Sequence, residues 1–215
     1  MKVTLPENIS EITLQQYQRF NELEQRNLDA NEFNRRVISL FTNIKYNDTK
    51  LISNKDFDEL SIIIDSAINT DAEFKNKFTL NDITFGFIPN FDKITVAEFV
   101  DLSLYPIDKI SDLHKLMAIL FRPIVSTNKK GDYLIESYEN SAKYSEIMKQ
   151  APLNVVKGAI VFFCNLAKQL ETATQKYTIE QLAREQEQSG TLKNGVGILQ
   201  LKKWLVMTIQ RLREF

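Results

Sequence analysis

Apolar side chains recur every three or four positions over three stretches of the N-terminal third of the chain, and this spacing is typical of amphipathic helices. The first stretch begins with Thr13-Leu14-Gln15-Gln16, a capping box in which the hydroxyl and the amide satisfy backbone groups at the helix start. The second stretch covers Ala30 to Ile44 and the third covers about Asp56 to Asn69. We therefore expect three helices that pack on one another through their apolar faces.

Alternating apolar residues in the middle of the chain indicate short strands. Lys77 to Ile88 predicts two strands on either side of Asn81-Asp82, a pair that readily forms a tight turn. Lys129 to Asp132 predicts another turn, and Tyr133 to Tyr138 predicts the strand that follows it. Together these strands indicate a small sheet.

Two short helices separate the predicted strands. Thr95-Val96-Ala97-Glu98 is a second capping box, and Asp112 is placed to cap a helix from Leu113 to Phe121. Arg122-Pro123 ends that helix, because proline biases the residue before it towards extended conformations. The strands and these helices predict an α+β insert at about residues 77–138.

The last third of the chain is helical again. A short helix is predicted over Ser141 to Lys149, and a longer one includes Pro152 in its first turn. The longer helix is apolar around much of its circumference, so it is expected to be buried on more than one side. Its apolar residues are Val155, Val156, Ala159, Ile160, Phe162, Phe163, Leu166 and Leu170. The predicted fold class is mainly α with a small β insert (α+β), with amphipathic helices packed around this buried helix.

Three regions are predicted along the chain. Residues 1–185 form a mainly helical core domain, residues 186–197 form a flexible link that holds three of the six glycines, and residues 198–215 form a C-terminal amphipathic helix. Such a helix folds back onto its own core, docks into a groove of a partner or lies on a membrane. Docking in cis or in trans both stay open here, and no membrane binding is expected. The candidate partner-docking residues are Leu201, Trp204, Leu205, Ile209 and Leu212.

Composition excludes several classes of chemistry. One cysteine and one histidine leave no disulfide framework, no four-cysteine metal site and no histidine-rich metal centre. A net charge of -1 argues against a dedicated nucleic-acid-binding protein. Gly195-Val196-Gly197 lacks the preceding strand and the third glycine of a dinucleotide fingerprint, and no P-loop motif occurs.

The reactive side chains that remain are weak candidates for catalysis or metal binding. His114 is expected to be partly exposed on a helix, and Cys164 is expected to be a small buried hydrophobic residue without a basic neighbour to stabilise a thiolate. Acids spaced three apart share a helix face, as acid–base pairs do, but acids near a helix N-terminus are also favoured by the helix dipole. The two such pairs are Asp56 with Glu59 and Glu98 with Asp101. We expect no catalytic residue, no metal and no cofactor, and hence no enzyme.

Four segments carry a resemblance to a known group of proteins. Residues 94–102 read ITVAEFVDL, residues 113–124 read LHKLMAILFRPI, residues 131–138 read GDYLIESY, and residues 151–163 begin with APL and end with GAIVFF. This order resembles small virion and assembly proteins of tailed phages, notably crAss-like phages and other phages of AT-rich gut bacteria, over roughly residues 91–170. The resemblance implies a structural role rather than an active site.

Two roles within that group are implied by the resemblance. The first is a neck ring or head–tail connector, a homo-oligomeric ring that docks onto the portal protein and other neck or tail proteins and passes DNA without sequence specificity. Such a protein is located in the neck or tail region of the virion, and in the host cytoplasm during assembly. The alternative is a tail-assembly chaperone that keeps a tape-measure protein soluble and is not retained in the virion. We expect the ring.

Overall fold

The computed structural model describes residues 3–165, and its first half is built from three helices. These are α1 (Leu14–Glu24), α2 (Ala30–Phe41) and α3 (Asn54–Asn69); α1 packs on α2, and α2 packs on α3. The capping box before α1 is confirmed: the backbone N–H of Gln16 donates to Thr13 Oγ1 at 3.2 Å, and Gln16 Oε1 accepts from the backbone N–H of Thr13 at 2.9 Å. The three predicted helices are therefore present.

Helix α2 ends at Phe41, three residues before the predicted end. Thr42 has an extended backbone, with φ -124° and ψ 174°. Its hydroxyl donates to the carbonyl of Ile38 at 2.7 Å and accepts from the backbone N–H of Ile44 at 3.1 Å. The threonine side chain therefore supplies partners for backbone groups at the helix end, and the chain turns away.

The predicted sheet forms, with four antiparallel strands in the order in which they occur along the chain. They are β1 (Lys77–Leu80), β2 (Ile83–Phe87), β3 (Phe121–Thr127) and β4 (Tyr133–Ile135), so the last strand is shorter than expected. Asn81-Asp82 joins β1 to β2 with φ values of 49° and 60°. Two left-handed residues of this kind form the tight hairpin turn whose twist matches that of the strands.

Strand β3 was not predicted, because Arg122-Pro123 was interpreted as the end of a helix. Proline lacks an N–H and is disfavoured inside a sheet. Here the carbonyl of Pro123 accepts from the backbone N–H of Glu136 at 2.8 Å, so the backbone N and O of Pro123 both point towards the β4 side. Because β4 ends at Ile135, the missing N–H falls at the end of the pairing between β3 and β4.

Four further helices complete the described fold. They are α4 (Val96–Leu104), α5 (Leu113–Leu120), α6 (Ala142–Met148) and α7, which covers residues 153–165. The capping box before α4 is confirmed, and α5 leads directly into β3. Asp112 precedes α5 as predicted but does not cap it, because its carboxylate binds two lysine side chains instead.

The core lies between the sheet and α7, which confirms the fold class of mainly α with a small β insert. Phe85, Phe87 and Phe121 are buried on one side of the sheet, and Phe87 contacts the rings of Phe162 and Phe163 on α7. The other buried residues of α7 are Leu153, Val155, Val156 and Ala159. None of the helices within residues 3–165 combines the length and the apolar character that crossing a membrane requires.

The domain boundary at residue 185 stays a prediction. The predicted link over residues 186–197 and the C-terminal helix over residues 198–215 lie outside the described residues. So do the five candidate partner-docking residues: Leu201, Trp204, Leu205, Ile209 and Leu212.

Candidate functional site

His114 is buried in the interface between α1 and α5, so the prediction of a partly exposed side chain is wrong. The amide nitrogen of Gln18 donates to the carbonyls of Ile110 and Ser111, at 2.8 and 3.0 Å, and lies 3.1 Å from His114 Nδ1. The amide nitrogen has two hydrogens for these three partners, so it contacts Nδ1 through a shared hydrogen. This contact favours the neutral imidazole with an unprotonated Nδ1.

The electrostatic surroundings of His114 act in the same direction. Burial lowers its pKa below the ordinary histidine value, and the positive charges of Lys149 and Lys115 lower that pKa further. Glu146 and Asp112 favour the charged form but do not outweigh these effects. The hydrogen bond and the lowered pKa both favour the uncharged imidazole.

Two other sequence candidates lie apart from any site. Cys164 is half-buried, so the prediction of a fully buried residue is wrong. Asp56 and Glu59 are exposed on α3, and Glu59 forms only a loose ion pair with Lys55 at 3.8 Å. In the part of the chain that the structure describes, no group of three or more histidines, cysteines and acids could hold a metal ion.

The acid pair of α4 is brought together with two residues from the sheet region. The buried carboxylate of Glu98 forms an ion pair with buried Arg122 of β3, and the hydroxyl of Tyr138 donates to the carboxylate of Asp101. The Arg122 guanidinium lies 5.4 Å from the centre of the Tyr138 ring. Burial and the neighbouring Asp101 carboxylate raise the pKa of Tyr138.

This buried cluster attaches α4 to the sheet and offers little for catalysis. Glu98 also accepts a hydrogen bond from the backbone N–H of Thr95 at 2.6 Å, and so caps α4 while it pairs with Arg122. Both carboxylates are already engaged, so binding a metal ion would require these contacts to break. The sequence showed the acids at helical spacing, but Arg122 and Tyr138 could be placed only by the fold.

The opposite side of α4 carries an exposed apolar stripe. Val96, Val100 and Leu104 follow one another at intervals of four and are 81%, 48% and 61% exposed. Such spacing places the three side chains along one side of the helix. An aligned row of exposed aliphatic side chains is a candidate contact surface.

A second exposed apolar surface lies on α3 and the turn before it. Ile62 is 68% exposed and Ile63 is 41% exposed, while Leu51 in the preceding turn is 78% exposed. Asp58 and Asp65 flank Ile62 on the same helix and are both exposed. This surface therefore combines apolar contact area with negative charge.

A groove between α1 and α2 carries the opposite charge. Its cavity has a volume of about 390 Å³. Its lining residues are Arg19, Glu22, Leu23, Arg26, Arg36, Ser39, Leu40 and Tyr46. Of these eight described residues, three are arginines and Glu22 alone is acidic, and the two leucines supply an apolar floor.

The arginines of this groove differ in how firmly they are held. Arg36 forms an ion pair with Glu32 at 2.5 Å, which raises the pKa of Arg36, and its guanidinium lies 5.1 Å from the centre of the Tyr46 ring. Within residues 3–165, by contrast, no carboxylate forms an ion pair with Arg19 or Arg26, and both are exposed. Those two guanidinium groups are therefore available to an acidic partner.

Comparison with known protein families, curated proteins and solved structures finds no match to this chain. The function is therefore inferred from the three surfaces described above. None of these surfaces is predicted by the sequence alone. The periodicity of α4 was visible, but which of its apolar residues face solvent depends on packing against α5, and the groove exists only once α1 and α2 are side by side.

Proposed function

We propose that this chain is a structural subunit of a tailed-phage virion and forms an oligomeric ring at the head–tail junction, through which DNA passes. Its partners are further copies of itself, the portal protein and other neck or tail proteins. It occupies the host cytoplasm during assembly and the neck or tail region of the virion afterwards. The candidate residues for docking onto the portal or a neighbouring subunit are Leu201, Trp204, Leu205, Ile209 and Leu212.

The observation that carries this proposal is the presence of separate exposed apolar surfaces on α3 and α4. Helix α3 packs on α2, whereas α4 packs on α5, so the two surfaces belong to different parts of the fold. A two-fold dimer uses one self-complementary surface, but a ring uses two different surfaces of each subunit, because every copy contacts one neighbour on each side. Contact surfaces on different parts of one subunit therefore favour a ring.

The reactive side chains are engaged in contacts within the protein, which also favours a structural role over a catalytic one. His114 is neutral and hydrogen-bonded, and Glu98 and Asp101 are bound by Arg122 and Tyr138. A general acid or base has to exchange a proton with a substrate, and Glu98 and Asp101 would first have to break these contacts. A ring subunit needs none of them to react, since it positions its neighbours and leaves a passage for DNA.

Mass spectrometry of purified virions of the encoding phage tests this function. We expect the chain to remain in intact particles after extensive purification, in a constant ratio to the portal protein. The portal protein is the internal control for particle integrity. A chain that is abundant in infected cells but absent from purified particles would support the alternative, a tail-assembly chaperone, and would contradict the ring.

A further inference from the structure

The groove between α1 and α2 presents two exposed arginine side chains. Arg19 lies on α1, and Arg26 lies two residues beyond the end of α1 at Glu24. Leu23 of α1 and Leu40 of α2 line the groove with them, and so does one acidic residue, Glu22. Three arginines against one glutamate give the lining of the groove an excess of positive charge.

The exposed face of α3 carries the opposite charge. Asp58, Ile62 and Asp65 occupy positions i, i+4 and i+7. All three side chains are exposed, and the Asp65 carboxylate accepts a hydrogen bond from the amide of Asn69 at 2.9 Å. Among the described residues, neither aspartate forms an ion pair. This face therefore has an unpaired negative charge on each side of an apolar residue.

We propose that α3 of one copy docks into the arginine-lined groove of the next copy and forms the repeating interface of the ring. Ile62 then packs on Leu23 and Leu40, while the two aspartates of α3 pair with Arg19 and Arg26. The charges of the two surfaces are opposite, so the ion pairs add to the apolar contact. The inference rests on the proposed function and names the subunit contact that it requires.

A second copy of this chain is favoured over another partner because both halves of the contact occur on one chain. Among residues 3–165, no residue of α3 lines the groove of its own molecule, so this contact is not made within that part of the chain. In a two-fold pair, α3 of each copy would lie in the groove of the other, whereas in a ring each α3 lies in the groove of the next copy. The proposed function requires the second, head-to-tail arrangement, and the mass of the oligomer separates the two.

Two charge-reversal variants of the full chain test the contact. One is Arg19→Glu with Arg26→Glu, and the other is Asp58→Arg with Asp65→Arg. Each variant alone places like charges across the contact, so mass photometry should show a loss of oligomers of at least tenfold relative to the natural chain. An equimolar mixture restores opposite charges wherever the two variants alternate, so it should recover oligomers that have an even number of subunits.

Matched controls separate this contact from a general effect of charge. Lys129→Glu with Lys130→Glu makes the same change in net charge at the exposed turn between β3 and β4, and it should leave the oligomer intact. The variant that carries all four reversals should assemble on its own, because its two faces are again opposite in charge. Circular dichroism checks that each variant is folded; if one is not, Arg19→Gln with Arg26→Gln replaces it and should weaken assembly.

The outcomes also separate this inference from the proposed function. If the natural chain forms a ring and neither reversal weakens it, the subunit contact lies elsewhere and the ring stands. If each reversal weakens assembly but neither the mixture nor the four-fold variant recovers it, the two faces do not meet and the inference is wrong. If the natural chain is a monomer at every concentration, both the inference and the ring are wrong.

Discussion

His114 is buried in surroundings that favour the uncharged imidazole over the protonated form. A proton on Nδ1 would point at the N–H groups of the Gln18 amide, which is oriented by the carbonyls of Ile110 and Ser111. The unfolded chain has no such constraint and takes up the proton at about pH 6.5, whereas the folded chain takes it up at lower pH. Protons therefore bind more readily to the unfolded state, and acidification favours unfolding.

We predict that the free energy of unfolding falls as the pH is lowered from about 7.5 to about 5.5, around the ordinary histidine pKa of about 6.5. His114→Asn keeps an acceptor for Gln18 but does not titrate, so its stability should change less over this range. Urea unfolding at several pH values measures the slope. The pKa of the Asp112 carboxyl lies below its ordinary value, so protonation of Asp112 lowers the free energy of unfolding only at more acidic pH. Equal slopes for the natural chain and the variant would contradict the account.

The burial of His114 could not be predicted from its own helix. The local pattern identifies α5 and places His114 near its start, and a polar residue there is normally exposed. What buries it is Gln18, which lies 96 positions earlier in the chain and reaches α5 only because α1 packs beside it. A contact over this sequence distance leaves no trace in local periodicity.

At the scale of elements, α4 is attached to the sheet by one buried ion pair. Glu98 on α4 and Arg122 on β3 are both buried, and together they hold the helix whose outer side carries Val96, Val100 and Leu104. Removing one member of a buried pair leaves the other charge without compensation, which is far more costly than losing an exposed pair. The position of the exposed apolar stripe therefore depends on this contact.

We predict that Glu98→Gln lowers the free energy of unfolding by about 3–5 kcal/mol, because it leaves the Arg122 guanidinium buried and unpaired. Glutamine is also accepted in a capping box, so the N-cap contact with Thr95 should survive. Urea unfolding measures the cost. Glu98→Gln with Arg122→Met should cost clearly less than the sum of the two single changes, since the double variant leaves no unpaired charge.

The same chemical change at an exposed ion pair is the control. Glu139 pairs with Lys143 at 2.7 Å and its side chain is 60% exposed. Exposed pairs contribute about 0–1 kcal/mol, so Glu139→Gln should have little effect. If Glu98→Gln costs no more than Glu139→Gln, the buried pair does not hold α4 in place.

Elements with local signals were predictable, and elements defined by distant partners were not. The capping boxes at Thr13 and Thr95 and the hairpin at Asn81-Asp82 are complete within four residues, so the sequence alone identifies them. Strand β3 contains Pro123, which argues against a strand locally. It is a strand because β2 and β4 lie on either side, and its proline falls opposite the end of β4.

At the scale of the whole molecule, charge is distributed unevenly although the chain as a whole is close to neutral. The net charge is -1, yet α1 and α2 supply an arginine-lined groove and α3 supplies an acidic, apolar face. The near-neutral net charge therefore argued against nucleic-acid binding, but it gave no indication of either charged surface. Each surface appears only after packing decides which side of a helix faces outwards, and assembly requires both.

The most direct test of a ring is the mass of the purified full chain in solution. Native mass spectrometry should detect one oligomer whose mass is a fixed multiple of 24.9 kDa. Because a closed ring leaves no free contact surface, that multiple should not grow as the protein concentration is raised. A species of 24.9 kDa at every concentration, or a series of oligomers that lengthens with concentration, would contradict the account.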